Sequence, residues 1–375
     1  MIKREYLREC DWILLATALG LSAIGVAFVW SATYEYVPTG KSYARGWAQV
    51  QARWLVVAMV TLLITWFFDY LWFRRQAYLF YAVCLLLLGW VMAFGVRRGG
   101  ATRWISVGNY LLQPAELMKV AVILALARYL AFQRHVRQLG GLVWPFVLVL
   151  LPMVMIVRQP DLGTALVFLP VMFAMLYAAG AQSKHLALAL GAGAAAAPLM
   201  WFIVMSDFQK ARILSFLFPD ADRYGAGFHG LQSLIAIGSG GLTGKGFAQG
   251  SQHLLDLLPA AHTDFIFAVI AEEWGFLGSL FVLALYFIMF WRTLRIAART
   301  REPFGRLVVV GALAIFAFQT CVNIGMTMRL CPITGITLPF VSYGGSSLLS
   351  SYVLLGLIIN IGMRRKAVVA PDDFA

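Results

Sequence analysis

The sequence predicts an all-α integral membrane protein, and three observations support this fold class. Hydrophobic residues make up 61% of the 375 residues, and charged residues only 13%. Apolar runs recur along most of the chain, each close to the roughly 20 residues that a helix needs to cross a bilayer. Irregular backbone cannot face lipid because its polar groups would lack partners, so the spans should be helices. We expect a single polytopic membrane domain over residues 1–375.

About ten spans account for the apolar runs. They lie at residues 12–32, 54–72, 77–95, 112–131, 142–157, 162–180, 186–205, 264–291, 306–327 and 343–363. The first is followed by no convincing cleavage site, so we expect it to stay with the protein. An even number of spans puts both termini on one side. Basic residues before the first span and after the last, such as Lys3, Arg4, Arg365 and Lys366, indicate the cytoplasm.

A large extracytoplasmic loop, residues 206–263, is predicted between spans 7 and 8. A loop of that length without secondary structure is uncommon unless it is functional or disordered. Its middle, residues 230–238, has the pattern of a short amphipathic helix lying on the membrane surface. Glycine is frequent in the segment that follows, residues 239–246.

The net charge of +13 does not predict nucleic-acid binding, because the basic residues are scattered between spans and form no aromatic-interleaved patch. Orientation and loop anchoring explain most of them, and an anionic lipid or substrate could use the rest. The four cysteines lack metal-ligand spacing and predict neither a zinc site nor a disulfide framework. Cys321 and Cys331 could pair only if the fold brought them together.

Asp264 stands where a polar loop enters the eighth predicted span. Thr263 is a plausible N-cap, which would place Asp264 in the first helical turn. Two interpretations stay open. The carboxylate could only complement the helix dipole, or it could work in a wet cavity, because an acid at bilayer depth needs a partner, a cavity or a task.

Further polar residues stand at the outer ends of other spans. Glu116 and Lys119 are three residues apart, so they share a helix face and can neutralise one another. Arg103 beside Trp104 is a candidate substrate contact or an interfacial anchor. Asp161 opens the sixth span, where N-capping alone would explain it.

Two more features lie along the later spans. At least one of Glu272 and Glu273, within the eighth span, should pair with a basic residue or line a polar interior. The small residues 342–347 permit close helix approach, and no lysine follows them in Walker spacing, which excludes a nucleotide loop.

Several motifs in combination resemble the SEDS proteins (shape, elongation, division and sporulation) over almost the whole chain. They are RW at 103–104, QPAELMK at 113–119, PDLGT at 160–164, IGSGGL at 237–242, HTDFIFA at 262–268 and SYGGSS at 342–347. NIGMT at 323–327 with PITG at 332–335 is more similar to the elongation branch of that family than to the division branch. Arg329 departs from the pattern and is either an anion or partner contact, or an interfacial anchor.

The resemblance implies a bacterial inner-membrane glycosyltransferase that polymerises lipid II into peptidoglycan strands during cell elongation. It implies a class B penicillin-binding protein and other elongation-complex membrane proteins as partners, with lipid II and membrane lipid as ligands and no nucleic acid. By motif match Asp264 is the catalytic residue, as general base or as ligand of a divalent cation such as Mg²⁺ or Mn²⁺.

The remaining expected site residues serve the substrate. They are Arg103, Glu116, Lys119, Asp161, Lys210, Arg212, His262 and Ser342. The cations among them suit a departing pyrophosphate. A lipid II flippase, a division-type paralogue with the same chemistry, and a scaffold that only recruits the partner enzyme are the alternatives.

Overall fold

The computed structural model describes most of the chain. The described residues are 9–35, 43–44, 46–98, 101–108, 110–133, 136–203, 205, 207–218, 226–251, 257–258 and 260–364. The terminal basic residues that orient the predicted topology, such as Lys3 and Lys366, lie outside these ranges. The cytoplasmic position of the termini therefore stays a prediction.

Among the described residues, a helix lies at each of the ten predicted spans. These helices are α1 (Trp12–Ala32), α2 (Trp47–Phe67), α3 (Tyr70–Phe94), α4 (Pro114–Phe132), α5 (Val143–Val157), α6 (Leu162–Ala178), α7 (Ser183–Ile203), α10 (Ile266–Arg299), α11 (Pro303–Thr327) and α12 (Gly345–Arg364). Eight of these have the length and apolar composition of a span, counting the short 3₁₀ turn before α5. α6 is apolar but shorter, and α4 carries Glu116, Lys119 and Arg128 in its sequence.

Two predicted spans begin too late. α2 starts at Trp47 rather than 54, and α3 starts at Tyr70 rather than 77. Asp69 caps α3, because its carboxylate accepts a hydrogen bond of 3.0 Å from the Leu71 amide. Arg74, expected in a loop, lies in the first turns of this helix, buried and 3.4 Å from Glu302. Because a buried carboxylate neutralises its charge, Arg74 can lie within the helix and not in a solvated loop.

Two small antiparallel sheets lie outside the spans, and the all-helical prediction omitted them. β1 (Tyr34–Glu35) pairs with β2 (Tyr43–Ala44). A three-stranded sheet has the order β3 (Val96–Arg98), β4 (Ala101–Val107) and β5 (Tyr110–Leu112). The second sheet carries Arg103 on its central strand and leads directly into α4.

The central helices of the bundle are α4 and α12, which are buried along most of their length. α12 lies against α2 so closely that a Cβ atom at Gly356 would overlap Thr65. The middle of α4, from Val120 to Ala127, is apolar and buried. The apolar core therefore fills the middle of the bundle, and polar side chains gather toward the helix ends.

The predicted outer loop contains two helices, α8 (Asp207–Leu217) and α9 (Ala226–Ser239). The expected amphipathic helix at 230–238 is confirmed as part of α9. The glycine-rich segment that follows docks where α10 is broken at Gly275, whose φ is 65° and ψ −160°. The Lys245 amide donates to the Glu272 carbonyl, and the Gly246 amide donates to the Glu273 carbonyl, each with a distance of 3.0 Å.

The acids of α10 at this break are both satisfied. Glu272 forms the expected ion pair, with Nζ of Lys245 at 2.6 Å, and it also accepts from Ser251. Glu273 accepts from the Ser31 hydroxyl of α1 and from the Ala248 amide. These buried carboxylates join α1, α10 and the outer segment, so their role is structural.

Candidate active site

Asp264 lies in a turn that precedes α10, and its predicted place in the first helical turn is wrong. α10 begins at Ile266. Residues 260–265 form the turn, in which the amides of Thr263 and Phe265 donate to the Ala260 carbonyl. The Thr263 hydroxyl bonds to that same carbonyl, 3.2 Å away, and does not cap the helix. Asp264 therefore neither caps the helix nor lies in its first turn.

Two residues far along the chain hold this turn in place. Nδ2 of Asn323, fully buried on α11, donates to the carbonyl of Asp264 (2.9 Å) and to that of Ile336 (2.7 Å). The Ser342 hydroxyl donates to the Thr263 carbonyl over 2.6 Å and accepts from the Leu338 amide over 2.8 Å. The turn with Asp264 and the segment 331–344 are thus fixed to each other.

A large cavity, with a volume of about 810 Å³, opens above this turn. Its walls come from α2, the second sheet, the outer ends of α4 and α6, α8, and the segment before α12. The predicted site residues that line it are Arg103, Glu116, Asp161, Arg212 and Asp264. The structure thus brings together side chains separated by up to 161 residues of sequence, between Arg103 and Asp264.

Two arginines give the cavity a cationic part. Nη1 of Arg103 lies 3.4 Å from Asp161, and Gln113 donates to the other oxygen of that carboxylate over 2.9 Å. A single point, the Cβ position built on Gly335, is 3.4 Å from Oδ2 of Asp264 and 3.5 Å from Nη1 of Arg212. Gly335 has a φ of 75°, a backbone conformation that favours glycine, and the side chains of Asp264 and Arg212 both approach it there.

Asp161 also caps the N-terminus of α6. Its Oδ1 accepts from the Thr164 amide at 3.2 Å, as the sequence predicts. Glu116 and Lys119 form the expected ion pair at 2.7 Å, and both side chains are buried. The Ser350 hydroxyl of α12 donates to Glu116 as well, at 3.0 Å. Lys119 does not line the cavity and acts on it only through Glu116.

Three further predicted substrate contacts, besides Lys119, lie outside the cavity lining. His262 packs behind it, stacked on Trp47 with 5.7 Å between ring centroids. Ser342 is buried in the wall. Lys210 lies on α8, two residues before Arg212. Residues two apart point about 200° apart around a helix, so Lys210 and Arg212 cannot both face the cavity. Sequence reasoning missed Trp47, Asn323, Gly335 and Tyr343 as site residues, although the motifs contain the last three.

The carboxyl group of Asp264 titrates in an unusual environment. Burial raises its pKa above the ordinary value, and Arg212 and Arg103 oppose this by favouring the ionised form. Burial also lowers the pKa of Arg212, against the attraction of Asp264. An acid poised above its usual pKa is better suited to accept a proton near neutral pH.

Arg212→Gln is expected to move the acidic limb of the pH–activity profile to higher pH. The arginine lowers the pKa of Asp264, so its removal raises that pKa, and a base that must be ionised then fails at a higher pH. The measurement is kcat/KM against pH for the wild type, the variant and Arg97→Gln, an exposed arginine outside the cavity. An acidic limb that stays in place, or moves to lower pH, contradicts the coupling.

Asp264 is the residue of the cavity that could bind a divalent cation. Among the described residues, no group of three or more His, Cys, Asp or Glu side chains converges on one point. Asp161 is already engaged by Arg103, Gln113 and Thr164. Magnesium commonly uses one or two carboxylates and completes its shell with water and substrate phosphate oxygens. Asp264 fits that pattern as a protein ligand.

Comparison with known proteins identifies the family. Residues 11–367 match the family model described as "Cell cycle protein", which comprises FtsW, RodA and SpoVE. The chain belongs to the SEDS family. It is therefore a multi-pass protein of the bacterial inner membrane, and the helical fold described above is the SEDS fold.

Relatives of this SEDS protein carry informative names. It is 42% identical over 287 residues to the peptidoglycan glycosyltransferase MrdB of Escherichia coli K12, covering 76% of this chain and 77% of that one. It is 34% identical to the peptidoglycan glycosyltransferase RodA of Treponema pallidum, covering 95% and 98%. A solved chain from a peptidoglycan synthase complex that coordinates polymerization and crosslinking superposes with a TM-score of 0.81, at 29% identity and coverages of 96% and 99%.

Proposed function

We propose that this SEDS protein is a peptidoglycan glycosyltransferase that polymerises lipid II during cell elongation, with Asp264 as its catalytic residue. The observation that carries the proposal is one large cavity in which a carboxylate with a raised pKa lies beside two arginines. A glycosyl transfer from a lipid pyrophosphate needs both parts. The base takes a proton, and the cations receive the charge of the leaving group.

The reaction follows from these positions. The 4-hydroxyl of the acceptor sugar attacks the anomeric carbon of the donor, and its proton passes to the Asp264 carboxylate. A new C–O bond forms while the bond from the anomeric carbon to the phosphate oxygen breaks. The polyprenyl pyrophosphate leaves with the electron pair. Arg103 and Arg212 stabilise it, because guanidinium groups bind phosphate through paired hydrogen bonds.

The supporting residues keep this geometry. Asn323 and Ser342 fix the backbone on both sides of the Asp264 side chain. Asp161 orients Arg103, and its own position is fixed by Gln113 and by the start of α6. A divalent cation held by Asp264 and the pyrophosphate oxygens would neutralise further charge on the leaving group.

A penicillin-binding protein is the partner we propose, with the class B type expected from the family resemblance. The related synthase complex coordinates polymerization and crosslinking, and a transpeptidase bound to this chain would supply the crosslinking activity. Association with other elongation-complex membrane proteins belongs to the same proposal.

The test uses the full chain in liposomes with labelled lipid II, alone and with the penicillin-binding protein of its own organism. The proposal predicts glycan strands longer than the lipid II disaccharide. Movement of lipid II between leaflets without any polymer would favour the flippase. A transporter also needs a polar path through the bundle, whereas the middle of α4 is apolar and buried.

A further inference from the structure

The cavity has a second chemical face that the reaction described above does not use. Five aromatic side chains line it, and we name four of them the aromatic wall: Trp47, Trp54, Tyr110 and Tyr343. They come from α2, β5 and the segment before α12. Trp47 meets Tyr343 edge to face at 5.1 Å, and Trp54 meets Tyr110 in the same way at 5.5 Å.

The two tryptophans are arranged by the helix itself. Trp47 and Trp54 are seven residues apart, which is about two turns, so they lie above one another on one face of α2. Trp54 lies directly over Gly345, where any side chain would overlap its indole ring. The glycine that opens α12 therefore makes room for an aromatic surface inside the cavity.

These rings differ from the aromatic belt that membrane proteins carry at their surface. Trp90 and Trp144 are 56% and 62% exposed and belong to the outer surface of the bundle. The aromatic wall instead faces the interior cavity that holds Asp264, and Trp47, Trp54 and Tyr343 are only half-buried there. Half-buried rings that line a cavity leave apolar surface for a ligand.

The wall is joined directly to the turn of Asp264. Trp47 stacks on His262, whose carbonyl accepts from the Tyr343 amide over 2.9 Å. The two arginines reach Asp264 from other elements, Arg212 from α8 and Arg103 from β4. Trp104 belongs with the arginines, because the Arg103 guanidinium covers its ring at 5.5 Å. The arginines near Asp264 thus come from α8 and β4, whereas the aromatic rings come from α2, β5 and the segment before α12.

We propose that the aromatic wall is the acceptor saccharide subsite, a binding surface for the sugar ring whose hydroxyl Asp264 deprotonates. A hexose has an apolar C–H face that packs on indole and phenol rings, and its hydroxyls project sideways toward polar groups. The donor sugar must stay beside the arginines because its pyrophosphate binds there. The sugar on the other side of Asp264 is then the acceptor. This inference rests on the proposed function.

The experiment separates the two substrates chemically. Lipid II with its 4-hydroxyl blocked can only donate, and a short glycan strand without pyrophosphate can only accept. One glycosidic bond joins them, and each KM is measured with the other substrate in excess. The full chain is used in liposomes as wild type, Trp47→Leu, Trp47→Phe and Trp54→Leu, with Trp90→Leu on the outer surface of α3 as the matched control.

The subsite predicts that each leucine variant raises the acceptor KM about tenfold, which corresponds to a loss of about 1.4 kcal/mol of stacking on the aromatic ring. Trp47→Phe, which keeps a ring, should stay within about threefold, and the donor KM should be unchanged. Trp90→Leu should match the wild type. A donor KM that rises as much as the acceptor KM, or an acceptor KM unchanged in both leucine variants, overturns the subsite. A wild-type protein that makes no bond here and no polymer from unblocked lipid II contradicts the proposed function instead.

Discussion

Asp264→Asn is expected to lower the rate of glycan polymerisation by about 10²- to 10⁴-fold, the usual contribution of a general base. The asparagine has nearly the same shape and can still fill the space beside Gly335, but it cannot take a proton. Lipid II binding should persist, because Arg103 and Arg212 are untouched. The measurement is the initial rate of polymer formation from labelled lipid II. Asp207→Asn, an exposed aspartate at the start of α8, is the matched control.

The same assay distinguishes the two roles of Asp264. If the carboxylate also holds a divalent cation, a chelator should abolish wild-type activity, and Mg²⁺ or Mn²⁺ should restore it. Activity that is indifferent to chelation leaves Asp264 as a base alone. Polymerisation by Asp264→Asn at the wild-type rate would contradict both roles.

Asn323→Ala is expected to lower the polymerisation rate by about 10- to 100-fold, although Asn323 does not line the cavity. Its amide holds the carbonyls of Asp264 and Ile336 together. Without it the turn and the segment with Gly335 can separate, and a shift of about 1 Å at a reacting group can cost 10²-fold in rate. The rate is measured together with the Tm of each purified variant.

Asn360→Ala is a closely matched control. Asn360 is equally buried, on α12, and its Nδ2 also donates to backbone carbonyls, those of Thr65 (2.5 Å) and Phe68 (2.6 Å), with a longer bond of 3.5 Å to Trp66. It lies away from the cavity. Both variants should lose similar stability, on the order of 1–3 kcal/mol, but only Asn323→Ala should lose most of its activity. Equal losses of activity at equal Tm would make Asn323 a purely structural residue.

Local signals in the sequence were sufficient for much of the architecture. Apolar run length gave the ten helices, because a bilayer fixes how long a span must be. A spacing of three gave the Glu116–Lys119 pair, since the helix period puts those positions on one face. The cap at Asp161 also depends only on neighbouring residues.

Other features depend on contacts that sequence patterns do not contain. α10 starts at Ile266 because its preceding turn is bonded to Asn323 and Ser342, which are 59 and 79 residues away from Asp264 and Thr263 respectively. The second sheet needs its strands to pair with each other outside the membrane. The position of Lys210 away from the cavity could have been predicted from the sequence, because Lys210 cannot share a helix face with Arg212. The aromatic wall required α2, β5 and α12 to converge.

The proposed reaction requires donor pyrophosphate, acceptor hydroxyl and Asp264 to meet in this one cavity. The most direct measurement is a structure of Asp264→Asn with lipid II bound, since that variant should bind substrate without consuming it. We expect the pyrophosphate within hydrogen-bond distance of Arg103 and Arg212, and a sugar 4-hydroxyl beside residue 264 with its ring against Trp47. Lipid II bound elsewhere, with this cavity empty, would contradict the proposed reaction.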